Sequence, residues 1–208
     1  MEFYEVVNSR RTIRDFTERP VDIDVVKRVL SAGLKAPSND HMRDWEFVVV
    51  TEREVIASIL KMIPKKVSEE RVEFIIKSWE LNDECQQNVY RDAIPKQNAM
   101  LYQSGCLILP FYKQHGDLLE PKSLSSLNSF ASIWCCIENI LLAATAEGLS
   151  GTLRIPLGDE PAHIAGILHH PKEYVMPCYI ALGYAAPDAV IVKQIERNID
   201  DKIHFNGW

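Results

Sequence analysis

The sequence predicts an α+β or mixed α/β domain. Two observations carry this. Apolar residues recur at helical spacing in several separate stretches, and a few short, continuous apolar runs of strand type lie between them. No Gly/Ser linker, internal repeat or low-complexity tract divides the chain. A single domain over residues 1–208 is therefore expected.

The elements follow in order. Glu2 to Ser9 reads as a short helix with Phe3, Val6 and Val7 on one side, ending at the basic cluster Arg10-Arg11-Thr12-Ile13-Arg14. Ile23, Val26, Val29, Leu30 and Leu34 recur at helical spacing, with Asp22 or Asp24 as N-cap. That helix stops before Pro37, because the residue preceding a proline disfavours the helical conformation. Phe47-Val48-Val49-Val50 is the clearest strand, β-branched and continuous, and so expected to be buried on both faces. Thr51-Glu52-Arg53-Glu54 reads as a capping box opening a helix to about Met62.

Ser68 to Tyr102 is polar and helical in flavour, and suggests a mobile lid or excursion rather than core. Gly105 to Phe111 is a second strand, and Gly116 to Ser126 a loop. Phe130 to Ala146 is the longest apolar helix, with Ile133, Trp134, Ile137, Ile140, Leu141 and Ala144 covering much of its circumference. A helix that apolar all round belongs in a core or a subunit interface. Gly148 closes it as a C′ glycine. Gly148 to Arg154 reads as a loop, Glu160 to Leu168 as a short helix, and Met176 to Leu182 as a third strand. The tail from Ile191 to Trp208 has a hydrophobic end (Ile203, Phe205, Trp208) and too few partners to form a unit.

Composition narrows the function. The chain carries 23 basic and 29 acidic side chains, a formal net charge of −6. Nucleic acid and anionic membrane surfaces both call for a concentrated positive field, so neither is expected as the main partner. No apolar run reaches the roughly 18–20 residues of a membrane span. The first residues, MEFYEVVNSRR, lack the apolar stretch of a secretory signal, which points to the cytoplasm. The five cysteines form no C-x-x-C pair and read as reduced, mostly buried thiols. The six histidines show no metal-ligand spacing. There is no G-x-G-x-x-G, Walker loop, H-E-x-x-H or G-x-S-x-G.

Three segments carry chemistry. Arg10, Arg11 and Arg14, with the hydroxyls of Ser9 and Thr12, offer charged and neutral donors suited to a phosphate. The Ala36-Pro37-Ser38-Asn39-Asp40-His41 turn offers amide and hydroxyl groups to a heteroaromatic edge. In Gly148-Leu149-Ser150-Gly151-Thr152-Leu153-Arg154, the glycines let backbone approach a flat ligand. Each segment alone is also compatible with an ordinary turn.

Their order is more specific: S-R-R-T-I-R-x-F, then A-P-S, then W-x-F-V-V-V, then I-E-N-I-L-L-A-A-x-x-x-G-L, then a late A-L-G-Y. This pattern resembles the FMN-dependent nitroreductase family over nearly the whole chain, most weakly from about Ser68 to Ser126. The resemblance implies a nitroreductase-like α+β fold, a central, mainly antiparallel sheet flanked by helices, in an intertwined homodimer. It further implies a variable helical lid at about 63–104, a C-terminal dimer arm at about 191–208, and FMN at the dimer interface. Arg10, Arg11, Thr12 and Arg14 match the segment on the FMN phosphate and pyrimidine side. Pro37, Ser38, Asn39 and His41 match the loop that reaches the flavin from the other subunit, with Asn39 and His41 departing from the usual serine and asparagine. Gly151, Thr152, Leu153 and Arg154 match the backbone over the flavin N5 edge, Gln97 the position at the pyrimidine edge, and Lys193 a phosphate contact. Lys193 lacks the arginine that usually follows two residues on, where this chain has Ile195.

The implied chemistry is ping-pong hydride transfer from NAD(P)H through flavin N5 to a nitroaromatic, quinone or similar small acceptor. The protein orients and tunes the cofactor, so no catalytic side chain and no metal are expected. Two alternatives are a dehalogenase-like or flavin-destructase-like relative, and a non-catalytic flavin carrier or sensor.

Overall fold

The computed structural model describes all 208 residues. Its centre is a sheet of strands β1 (Trp45–Val50), β2 (Cys106–Lys113), β5 (Tyr179–Gly183) and β3 (Ser150–Arg154), in that spatial order. A two-residue strand β4 (Tyr174–Val175) also pairs with β2. Every strand pairing is antiparallel.

The period-2 geometry of a strand sends alternate side chains to opposite faces, and here it builds two cores. Cys106, Ile108 and Tyr112 of β2, with Ile180 and Leu182 of β5, face one core. Leu107, Leu109 and Phe111, with Tyr179 and Ala181, face the other. The first is covered by helices α2 (Ile23–Gly33) and α7 (Asn128–Ala146), which supply Val26, Val29, Ile133, Ile137 and Ile140. The second is covered by α3 (Arg53–Ile59), the short α6 (Ala99–Tyr102) and α8 (Glu160–Leu168), with Ile56, Ile59, Leu101 and Ile164.

Helix α1 (Phe3–Ser9) opens with the reciprocal Glu2/Glu5 capping box. Asp22 is the α2 N-cap, accepting from the Asp24 amide at 2.7 Å. The α7 helix matches its expected position and ends at Gly148, whose φ of +76° is left-handed and free of strain only for glycine. By length and composition, the stretch Leu124–Ala146 also qualifies as a membrane-span candidate. Its packing is that of a core helix, with Ile133, Cys136 and Ile140 fully buried against the sheet.

Four expectations change. β1 is not buried on both faces: it is an edge strand paired only with β2, and Phe47, Val48 and Val49 are half-buried. The fully enclosed apolar strand is β2, which has neighbours on both sides. The expected capping box at Thr51 does not form; Glu52 is the N-cap of α3 without a side-chain hydrogen bond, and the last turn to Met62 is 3-10. The third strand starts late, because Met176 to Cys178, containing Pro177, leave the ladder. Residues 150–154, read as a loop, form strand β3.

The polar excursion is helical, as α4 (Glu69–Ser78) and α5 (Glu84–Lys96). These two helices share a small core of Val72, Ile76 and Ile94. Their base is fixed where buried Asn98 donates its Nδ2 to the carbonyls of Leu60 and Ile63, and Met100 and Leu101 enter the main core. The tail beyond Ile191 is mostly exposed, with Phe205 84% and Trp208 fully accessible.

Candidate functional site

After α1 the chain runs extended beside the sheet. Thr12 bridges Gly151 in parallel, and the Ile13 amide donates to the Gly151 carbonyl at 3.2 Å. Ile13 is buried, so the strand-like alternation leaves Thr12 and Arg14 on the outer side. The same alternation acts on β3. The Gly151 carbonyl points away from β5, so the peptide N–H of Leu153, two residues on, points to that same outer side and meets no strand there.

Two cavities flank this edge. One, of about 400 Å³, lies between the basic segment, the start of α5 and residues 191–195; Arg11, Thr12, Arg14, Gln86, Val89 and Lys193 line it. The other, of about 500 Å³, lies between α4, α5 and β3. Its wall is largely apolar and aromatic, with Trp79, Tyr90, Met100, Leu153 and Leu157, and its polar groups include Arg14, Arg71, Gln97 and Arg154. Arg14 and Val89 line both cavities, and no carboxylate lines either. In a protein of net charge −6 this is a local concentration of cations.

The cations are held differently. Arg11 donates Nη1 to the carbonyls of Asn8 and Arg10, both at 2.8 Å, which fixes its stem at the cavity wall. Arg14 donates to Asp92 at 2.9 Å, with both side chains largely buried. Lys96 bridges Asp92 at 2.6 Å and Asp15 at 2.7 Å, and Asp15 also accepts from the Val190 amide at 3.1 Å. This network ties α5, the N-terminal segment and the start of the tail together. Burial raises the Asp15 pKa, but the hydrogen bonds from Lys96 and the Val190 amide outweigh it, so the carboxyl ends below its ordinary value. Burial likewise depresses Lys96, and its two aspartates reverse this, leaving the ammonium above its ordinary value.

Arg154 is spoken for. Its Nη1 and Nη2 form a bidentate pair with Glu160 at 2.5 and 2.7 Å, with both side chains under 10% exposed. Tyr179 donates its hydroxyl to the same carboxylate at 3.0 Å. The Arg154 Nε donates to Gln97 Oε1 at 3.1 Å.

The Pro37–His41 turn lies elsewhere. Pro37, Ser38 and Asn39 line a groove of about 310 Å³ against α7, beside Asn128, Ser132 and Cys135, and share no lining residue with the two cavities. Asn39 is used locally: its amide donates to Ser132 Oγ, its Oδ1 accepts from Asn128, and its Nδ2 donates to Asp40. Ser38 Oγ accepts from the Arg43 amide. Asp40, His41 and Arg43 have φ of +50°, +55° and +47°, a left-handed backbone that is costly for residues with a Cβ. Tyr112, beneath this turn, has a fully buried hydroxyl with no partner, and burial lifts its pKa to about 12.

The single chain thus brings together Arg11, Thr12, Arg14, Gln97, Leu153, Arg154 and Lys193, with Gly151 and Thr152 in the adjoining strand. It leaves Pro37, Ser38, Asn39 and His41 apart. Arg10 lines neither cavity and instead approaches Glu138 on α7 at 3.4 Å. Sequence reasoning missed Asp92, Glu160, Tyr179, Trp79 and Arg71. Asp92 and Lys96 carried a signal, opposite charges four apart on a helix. Arg154 and Glu160 did not, because a strand, a turn and a helix start separate them.

An antiparallel sheet covered by helices on both faces, with a cationic and an aromatic cavity meeting at its edge, defines an α+β protein with a site of cofactor size. The sequence profile of the Nitroreductase family matches residues 7–184, and the chain belongs to that family. It is 26% identical over 206 residues to mouse (Mus musculus) iodotyrosine deiodinase 1, spanning 97% of this chain and 68% of that protein. An iodotyrosine deiodinase crystal structure bound to FMN and 3-iodo-L-tyrosine shares the fold, with a TM-score of 0.72 at 17% identity and full coverage of both chains. A nitroreductase with bound FMN from Bacteroides fragilis superposes with a TM-score of 0.65 at 22% identity over 95% of each chain.

Proposed function

We propose that this chain is an FMN-dependent oxidoreductase that passes electrons from NAD(P)H to a small aromatic acceptor. The observation that carries the reading is the pair of cavities meeting at Arg14. One is cationic and suits a phosphate; the other is apolar and aromatic and suits a flat ring. That donor set fits a flavin mononucleotide. Arg11, Thr12, Arg14 and Lys193 would hold the phosphate side, and Gln97 and Leu153 would face the ring. Bound FMN would supply hydride acceptance at N5 and two-electron delivery to the acceptor.

The chain's own residues do the rest. The outward Leu153 N–H is a fixed donor beside an apolar wall and favours a ligand that gains negative charge; Arg14, whose charge is shared with Asp92, adds its remaining N–H groups as donors. Trp79, Tyr90 and Leu157 offer apolar and aromatic surface to a flat ring, with Trp79 and Leu157 exposed in the single chain. Pro37, Ser38, Asn39 and His41 reach such a ligand only from a second copy, so the reading includes a homodimer, with the exposed tail as the crossing arm.

An absorbance spectrum of the purified protein tests this. A flavin spectrum that bleaches under anaerobic NADH or NADPH is the expected result. Absence of flavin, even after FMN is added, would refute the cofactor reading.

A second reading, reductive dehalogenation of an aromatic substrate, is favoured by the similarity to iodotyrosine deiodinase over 97% of the chain. Iodide release from 3-iodotyrosine by the reduced protein distinguishes it from nitro- or quinone reduction.

A further inference from the structure

Tyr112 ends in a polar pocket that the flavin reading does not use. The residue lies on β2 and is 1% exposed. Strand alternation turns it into the core under α7, where its ring meets Phe130 with centroids 6.0 Å apart. The hydroxyl at its tip is fully enclosed and has no partner in the protein. A phenol both donates and accepts, and leaving both capacities unused in a buried place is costly.

A cavity of about 20 Å³ lies against this hydroxyl, lined also by Ser38, Asn39, Arg43, Ser129 and Ser132. One water needs roughly 10–15 Å³ of such space, together with two to four polar partners. The volume therefore admits one water and nothing larger. The partners are at hand. Ser38 Oγ accepts from the Arg43 amide at 3.2 Å and keeps its own proton to donate. Ser129 brings a second hydroxyl. Ser132 Oγ is more fully used, accepting from the Asn39 amide and donating to the Asn128 carbonyl. Burial holds the Tyr112 phenol protonated, with its pKa pushed up to about 12, so it meets a neutral ligand and not a cation.

The turn over this pocket needs support. Asp40, His41 and Arg43 all have left-handed backbone, which persists only where the surroundings impose it. We propose that the pocket is a binding site for one internal water, which bridges the Tyr112 hydroxyl to Ser38 and Ser129 and so pins the 39–43 turn to the sheet and to α7. The site stands apart from the flavin reading, because it shares no lining residue with either cavity at the sheet edge.

The test uses the full chain and the variants Tyr112→Phe and Ser129→Ala. Tyr112→Phe removes one oxygen and keeps the ring. With the hydroxyl bonded to a held water, the variant loses a hydrogen bond and should melt about 2–4 °C lower. With the hydroxyl unpaired, the same change removes a buried polar group and the variant would melt higher, which overturns the site. Ser129→Ala should lose less once Tyr112→Phe is present, since both hold the same water; strictly additive losses would overturn the bridge. Amide exchange over residues 39–43 should accelerate in Tyr112→Phe, and unchanged rates would remove the turn from the proposal. A crystal structure of the wild type should show a water within hydrogen-bond distance of Tyr112 Oη. A Lys113 or Arg43 side chain folded onto that oxygen, or a residue of a second copy seated there, would refute it.

Discussion

Glu160→Leu is the sharpest test of how this edge of the sheet is held. The Glu160 carboxylate accepts two hydrogen bonds from Arg154 and one from Tyr179, and both members of the ion pair are under 10% exposed. Removing one partner of a buried pair leaves the other charge desolvated, which costs about 3–5 kcal/mol. For a domain of this size each kcal/mol moves the melting temperature by about 2–4 °C, so Glu160→Leu should melt roughly 10 °C lower. Arg154→Leu should lose a similar amount. Replacing both by leucine removes the stranded charge and leaves chiefly the unpaired Tyr179 hydroxyl, a cost of about 1–3 kcal/mol. Adding Tyr179→Phe removes that as well. The expected order of stability is therefore wild type near the triple variant, then the double, then either single. Calorimetry or circular-dichroism melts read this directly. Single variants within about 2 °C of wild type, or a double variant that loses the sum of the singles, would show that the pair contributes little and that the reasoning is wrong.

Three further expectations rest on other parts of the molecule. A Cβ at Gly33 would come 2.7 Å from Ile140 Cγ1 and 3.1 Å from Cys136 Sγ, both buried in the α2–α7 contact, so Gly33→Ala should cost about 1–3 kcal/mol in a urea melt; a neutral result would mean that the helices separate freely. The Asp15 pKa is depressed in the folded state, so its stabilisation is present above the ordinary carboxylate value and is lost as the pH falls through the folded one; amide exchange at Val190 should accelerate there, and Asp15→Asn should abolish that pH dependence. If the exposed apolar tail crosses to a second copy, truncation before Ile199 should yield monomer by light scattering, and a stable truncated dimer would refute the arm.

The long apolar periods were legible. The α7 pattern of Ile133, Ile137, Ile140 and Ala144, the α2 pattern with its Asp22 cap, and the Glu160–Leu168 helix lie where their spacing puts them. Short apolar runs were less so. Phe47 to Val50 and Leu107 to Phe111 look alike in sequence, yet one is an edge and the other the centre, because strand order is a property of pairing. Ser150 to Arg154 lacks a strand's apolar run and became β3 through its ladder to β5. In the site, the basic cluster announced itself by charge, whereas Lys193 came only from the family resemblance. Arg154 and Asn39 did not reveal that their side chains are turned to Glu160 and Asn128.

The sequence by itself determined the class of fold, the helices with strong periods, the family, and the presence of an anion-suited segment near the N-terminus. These are set by local chemistry: spacing, caps and charge. Only the tertiary structure decided that Arg10 turns away to Glu138 while Arg11, Arg14 and Lys193 line one cavity, that Gln97 faces a cavity with its donor pole outward, and that the Pro37 turn lies apart from both cavities. Those facts depend on which surfaces bury one another. A chain can encode them only through the whole packing, because the partners of each polar group come from distant segments.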